Sequence, residues 1–259
     1  MFVKFATSEI ISSSGNMART AHRADFSHVK PRDGYIYVRS RAISSRTNDN
    51  WDTFPAAEIK KAWRTFIGKP VFVNHHNDDP KRARGVIVDA ALHEDVSPFG
   101  EPDTWVEVLM EVDAVRFPKL AAMVLSGDID KTSMGCSVER SRCSFCGNEA
   151  ESPIDFCKHV KSMKGRRINR TTASGVKEAV LVSEICLGIS FFENSLLVET
   201  PADPTATAFV DPDLNKSHFS KAASKTASFP GIESAVPFAT PKGTVYMIDE
   251  ASSVVARSE

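Results

Sequence analysis

Cys143, Cys146, Cys157 and His159 follow the pattern C-x2-C-x10-C-x-H. Two thiolates on a tight turn, joined by a third thiolate and an imidazole, give four N/S donors, the set that suits tetrahedral zinc. Four protein ligands leave no open coordination position, so the zinc expected here is structural. It would hold together a small segment that has no core of its own. Gly147, just after the second cysteine, permits the turn, and Cys136 is the substitute ligand should His159 not serve. A second set of residues could do acid–base and nucleophilic chemistry. His75 and His76 sit in Val73-Asn74-His75-His76, Ser133 in Thr132-Ser133-Met134-Gly135, and Glu193 in Phe192-Glu193-Asn194-Ser195. A serine needs a neighbouring base to become a nucleophile. A carboxylate in an apolar strand needs a partner, and an imidazolium would serve. Each of these has a plainer reading: a solvated loop histidine, an ordinary strand serine, a half-exposed strand glutamate. Gly135 would leave room for a peptide backbone beside Ser133.

These groups must be held by regular elements. The segment Tyr35 to Ile43 alternates and is rich in β-formers, so it reads as a strand. Pro55 precedes a stretch with apolar residues at 56, 59, 62, 63 and 66, the spacing of one helix face. Val71-Phe72-Val73 reads as a short buried strand. Further strands are expected at Gly85 to Leu92, Trp105 to Val112, around Ser133, and Gly188 to Glu199, with a short helix from Pro118 to Leu125. The histidine loop then lies between two strands, where a base is held firmly enough for proton transfer.

The 259-residue chain is 42% apolar with a formal net charge of −1. That composition suits a globular protein with a real core and gives no global attraction to nucleic acid or acidic membranes. No apolar run approaches the roughly 20 residues of a membrane span. The N-terminus is too soon polar for a secretory signal, so an intracellular protein is expected. There, an odd number of cysteines (five) favours metal over a disulfide framework. The basic stretch Lys158, Lys161, Lys164, Arg166, Arg167 and Arg170 has few interleaved aromatics for base stacking, so nucleic-acid binding is not the expected role. Three regions are expected: an N-terminal arm over 1–34, a domain over 35–211 with an inserted zinc knuckle at 141–166, and a flexible tail over 212–259 with one local strand at Thr244 to Ile248.

The histidine, serine and glutamate segments, in this order, resemble the tailed-phage prohead proteases, the capsid maturation serine proteases. The resemblance spans about 35–210. It rests on Asn74-His75 with Gly85, on Ser133-Met134-Gly135, and most specifically on Glu193-Asn194-Ser195 running into Pro201-Ala202-Asp203-Pro204-Thr205-Ala206. Cys136 stands where that family usually has an aromatic residue, and the knuckle is an insertion most members lack. Ser133 and Glu193 are 60 positions apart, and removing the 26 residues of 141–166 leaves 34, an ordinary spacing for the family. The resemblance implies an α+β, β-rich fold: a herpesvirus-protease-like mixed β-barrel flanked by helices. It implies an endopeptidase with Ser133 as nucleophile, His75 as general base and Glu193 as orienting acid, His76 being the rival base and His93 the rival third member. The oxyanion donors are sought around 139–142. The implied substrates are the major capsid protein precursor and the scaffold protein, inside the assembling prohead in the host cytoplasm. Self-cleavage within 212–243 is expected, homo-oligomerisation is left open, and no membrane is involved. The competing expectation is a non-enzymatic virion or assembly protein that keeps the fold and uses the knuckle as an interaction module.

Overall fold

The computed structural model describes residues 2–4, 24–96, 100–171, 174–198, 200–218, 245–248 and 254–257. Its main feature is a ten-stranded mixed sheet. Along the chain the strands are β1 (Phe2–Lys4), β2 (Tyr35–Ser44), β3 (Asp52–Thr53), β4 (Pro70–Val73), β5 (Gly85–Val96), β6 (Pro102–Asp113), β7 (Lys131–Cys143), β8 (Glu149–Ala150), β9 (Arg167–Thr171), β10 (Lys177–Leu181), β11 (Glu184–Leu197) and β12 (Ala208–Val210). The order across the sheet is β1-β7-β11-β4-β5-β6-β2-β12, with β3 also on β11 and β8 also on β7. β4 and β3 run parallel to β11, and the other pairs are antiparallel. β9 and β10 form a separate hairpin, as do β13 (Val245–Ile248) and β14 (Val254–Arg257).

The expected closed barrel is not formed: the sheet is open. Near its ends, β7 meets the chain leading into β12 by an isolated bridge between Lys131 and Thr207 and by backbone bonds from Thr132 to Ala206 and from Ala208 to Asp130, while Arg41 of β2 bonds Thr207. The segment 201–207 thus spans from β7 to β2 as irregular chain. Two prolines and one turn locked by Asp203 Oδ1, which accepts from both the amide and the hydroxyl of Thr205, keep it from extending into a ladder.

Helices cover one face. α1 (Ala56–Ala62) starts after Pro55 and continues as a 3-10 turn, Trp63–Phe66; it buries Ile59, Ala62 and Phe66. Phe66 stacks on Phe191 of β11 at 3.9 Å between ring centroids, so the helix is fixed to the strand that carries Glu193. α2 (Pro118–Ser126) buries Leu120, Ala121, Met123 and Val124 and ends at Gly127, whose φ of 82° is the left-handed cap that glycine favours. The main core gathers these residues with Ile36, Val38, Ile87, Val108, Met110, Cys136 and Leu196. Burying a Leu, Ile or Phe side chain contributes about 1.5–3 kcal/mol.

Both terminal regions differ from expectation. Residues 24–34 lie on the sheet: Phe26 is buried with Tyr37, Leu109 and Leu214, and Arg32 pairs with Glu111. β1 adds a backbone strand to β7, with Phe2 opposite Val138. The domain also continues past 211. Asn215 is fully buried, accepting from the Tyr37 amide at 3.0 Å and donating to the Tyr37 carbonyl at 2.8 Å. Arg39 is the common anchor, bonded to Asp211, Glu107 and the Ala24 carbonyl. Residues 219–244, 249–253 and 258–259 of the expected tail lie outside the described residues. The expected strand at Thr244 to Ile248 is present as Val245–Ile248, paired with a second strand that the sequence did not suggest. Among the described residues no helix is long and apolar enough to cross a membrane.

Candidate functional site

β7 and β11 lie side by side, and their register sets the site. Ser133 is opposite Ser195, and Gly135 is opposite Glu193, after a bulge between Phe191 and Glu193. Side chains two apart on a strand share a face, and residues directly opposite have Cβ atoms about 5 Å apart. Ser133, Ser195 and Glu193 therefore occupy one face. β4 runs parallel on the other side of β11, with Phe72 beside Ser195, and delivers the histidine loop to the same place.

That loop turns sharply. Asn74 and His75 both have positive φ, 48° and 57°. Asn and His are among the residues that tolerate the left-handed region. Asn74 is held by its amide to the Leu196 carbonyl at 3.0 Å and by its side-chain oxygen, which accepts from the Val198 amide at 3.1 Å. The His75 amide donates to Ser195 Oγ at 3.2 Å. The outcome is a bond of 2.6 Å between His75 Nδ1 and Glu193 Oε1. Glu193 is completely buried, and its second oxygen, Oε2, accepts from Ser195 Oγ at 2.7 Å. A carboxylate so placed fixes the imidazole orientation and keeps the Nδ1 proton, which turns Nε2 into the basic nitrogen.

The expectations for this site sort as follows. His75, not His76, meets Glu193. His93 is elsewhere: its Nε2 bonds Glu107 at 3.0 Å and its ring stacks on Trp105 at 4.0 Å, within the Arg39 network. The stretch 139–142 cannot supply oxyanion donors to Ser133. Arg140, Ser141 and Arg142 are opposite Leu187, Cys186 and Ile185, and at ~3.4 Å per residue they lie roughly 20 Å or more along the strand. The role expected of Gly135 also changes. A Cβ there would stand 2.7 Å from Glu193 Oε1 and 2.7 Å from the Phe192 ring, so the glycine makes room for the glutamate, not for a substrate backbone.

Ser133 is 4% exposed and borders a cleft whose walls include Ala42, Ser44, Pro201, Asp203 and Ala206. Asp203 accepts from Ser44 Oγ at 2.8 Å. The Pro-Ala-Asp-Pro-Thr-Ala segment is thus the wall of the cleft beside Ser133. His75 and Glu193 do not line that cleft.

The cysteine cluster stands at the opposite end of β7. The donor atoms of Cys143, Cys146, Cys157 and His159 all lie within 4.8 Å of one another, a set that could hold a metal ion. Cys146 and Cys157 sulfurs are 3.5 Å apart, and Cys157 Sγ is 3.8 Å from His159 Nδ1. Zn–S bonds of 2.3 Å at tetrahedral angles place sulfurs about 3.8 Å apart, so the donors fit a four-coordinate ion. The Cys143 carbonyl accepts from Gly147 at 2.9 Å, and Gly147 has φ 73°. Burial pushes the Cys143 thiol up to about 11. Burial also acts to raise Cys157, but the Val160 amide with Cys146 and His159 outweighs it and brings that thiol down to about 7. α3 (Lys158–Met163) begins just after Cys157 and carries His159 in its first turn. Cys136, the substitute ligand, is not in the cluster; it is buried in the core opposite Phe191.

One feature of the insertion had no signal in its local sequence. Lys164 Nζ lies 2.7 Å from Asp52 and 3.0 Å from Glu184, two buried carboxylates at the start of β3 and β11. Gly165 packs so closely on Trp51 that a Cβ would stand 2.4 Å from the indole nitrogen. Lys161 and Arg170 are also engaged within the chain, on the Ile154 carbonyl and on Glu178 with the Phe145 carbonyl. Ser195 could have been singled out from sequence, because its spacing of two from Glu193 already puts both on one face of a strand. No family model, curated protein or solved structure matches this chain.

Proposed function

We propose that this chain is a serine endopeptidase of the prohead maturation type. It trims scaffold and capsid precursors inside the assembling head, in the host cytoplasm. The observation that carries the reading is the 2.6 Å His75–Glu193 bond on the face that also bears Ser133. His75 and Glu193, distant in sequence, are bonded there, and Ser133 stands on the neighbouring strand of the same face, without a hydrogen bond to the buried His75 Nε2. His75 Nε2 removes the Ser133 proton as Oγ attacks the scissile carbonyl, and then gives that proton to the leaving amine. Water, deprotonated by the same nitrogen, releases the acyl group from Ser133. Glu193 holds the imidazole tautomer and offsets the imidazolium charge. In this reading the fold is of the herpesvirus-protease type, with the barrel left open where 201–207 crosses by a single bridge.

Cys143, Cys146, Cys157 and His159 would hold a structural zinc ion, which staples the insertion and takes no part in the chemistry. One zinc per chain in metal analysis, reduced by Cys146→Ser, is the corresponding result. The engagement of Lys161, Lys164 and Arg170 within the chain disfavours a nucleic-acid role for the basic stretch.

A second reading is an assembly protein that keeps this fold without catalysis. It draws on the 4% exposure of Ser133 and on a cleft that reaches Ser133 but not His75. Co-expression with the capsid precursor separates the two. The protease reading expects the precursor to be cut and Ser133→Ala to abolish cutting with the fold intact. An uncut precursor, or cutting that survives in Ser133→Ala, favours the second reading.

A further inference from the structure

We infer that Ser195 is a positioning residue of this site: its hydroxyl sets both the Glu193 carboxylate and the His75 main chain, and thereby aims the imidazole. The inference rests on the serine-protease reading for its kinetic consequence, and on geometry for the rest.

Ser195 is fully buried in the middle of the sheet, between β4 and β7, opposite Ser133. Its Oγ uses both of its functions. As donor it meets Glu193 Oε2 at 2.7 Å, and as acceptor it takes the His75 amide at 3.2 Å. Glu193 Oε1 then meets His75 Nδ1 at 2.6 Å. The three bonds form a closed ring: hydroxyl to carboxylate, carboxylate to imidazole, and the histidine's own amide back to the hydroxyl. A ring of this kind fixes an angle as well as a distance. Without the hydroxyl, the carboxylate loses one of the bonds that set its rotation, and Oε2 is left buried with one donor fewer.

The backbone gives a second reason. Two consecutive non-glycine residues at positive φ, 48° and 57°, make a turn that depends on its surroundings for support. The Ser195 hydroxyl accepts from the His75 amide, and it sits on the strand that pairs with β4, from which the loop leaves. Deleting it relaxes the peptide that carries the base.

The test uses the full chain with Ser195→Ala, Ser195→Cys and Ser195→Thr. Threonine keeps the hydroxyl, while cysteine keeps the size but donates weakly. Two readouts are taken. The first is the rate of labelling by diisopropyl fluorophosphate, in which Ser133 Oγ bonds phosphorus, fluoride leaves and His75 takes the hydroxyl proton. The second is the downfield proton resonance of the His75 Nδ1–H on Glu193, assigned by its absence in His75→Gln. Ser195→Ala and Ser195→Cys should slow labelling about 10²-fold and broaden or remove the resonance, and Ser195→Thr should restore both. Should Ser195→Ala not fold, the cysteine variant carries the same decision. Wild-type rate and an unchanged resonance in either variant overturn the inference. A wild-type protein that is never labelled refutes the protease reading, and the resonance still decides the role of Ser195.

Discussion

Gly135 stands directly across the sheet from Glu193, and the space its missing side chain leaves is the space the Glu193 carboxylate fills. The glycine two residues after Ser133 is therefore tied to the third member of the site. With any larger residue at 135, the carboxylate and the Phe192 ring would both have to move.

Gly135→Ala should leave the sheet folded and yet misplace Glu193. A displacement near 1 Å at an acid–base site costs of the order of 10²-fold in rate. The check is precursor cleavage by Gly135→Ala beside its circular dichroism and thermal midpoint. A folded variant with wild-type cleavage would show that Glu193 needs no such space.

Lys164 lies between Asp52 and Glu184, and ties the insertion that carries the cysteine cluster to the start of the strand that holds Glu193. Removing one partner from a buried ionic cluster leaves the other charges uncompensated. Lys164→Met should cost about 3 kcal/mol, and Asp52→Asn in the same chain should return part of that loss. Chemical denaturation of the four proteins of the cycle measures it. Simple additivity of the two changes would mean that the carboxylates do not feel each other through the lysine.

Acid should detach the C-terminal segment before it unfolds the sheet. Burial alone would raise the Asp211 carboxyl, but the Leu214 amide and Arg39 outweigh it and hold it below its ordinary 3.8. Burial likewise acts against Glu107, and His93, the Ala24 amide and Arg39 hold it below its ordinary 4.5. Both groups release their protons more readily folded than unfolded. Their stabilisation is therefore complete above about pH 4.5 and fades as pH falls through the lowered folded values. Hydrogen exchange at the Tyr37 amide, which rests on Asn215 Oδ1 at 3.0 Å, reports the segment. Its protection should fall at a higher pH than that of the Leu196 amide in β11. Simultaneous loss would mean that 211–215 has no separate acid response.

Much of the sheet was readable from sequence because β-forming composition and turn residues bound each strand, although β2 and β6 are buried on both faces and not on alternate ones. The alternation from Tyr35 and the apolar face after Pro55 appear as β2 and as α1 with its 3-10 extension. The bringing together of His75 and Glu193 was also legible, through the order and flanks of the segments. Sheet closure was not, because it depends on whether 201–207 pairs as a ladder, and Asp203 locks that chain into a turn instead. The anchoring of 24–34 and 211–218 was missed for a related reason. Both segments are polar, and they are held by Arg39 and Asn215 through single bonds to residues distant in sequence. No apolar period announces that kind of contact. The stretch 139–142 looked close to Ser133 in number, but an extended strand carries it steadily away.

The most direct measurement is the site of phosphorylation by diisopropyl fluorophosphate, read by peptide mass mapping of the full chain. One adduct is expected, on the peptide containing Ser133, formed by the wild-type protein and lost in His75→Ala. No adduct on Ser133, or one that forms equally well without the His75 imidazole, would contradict it.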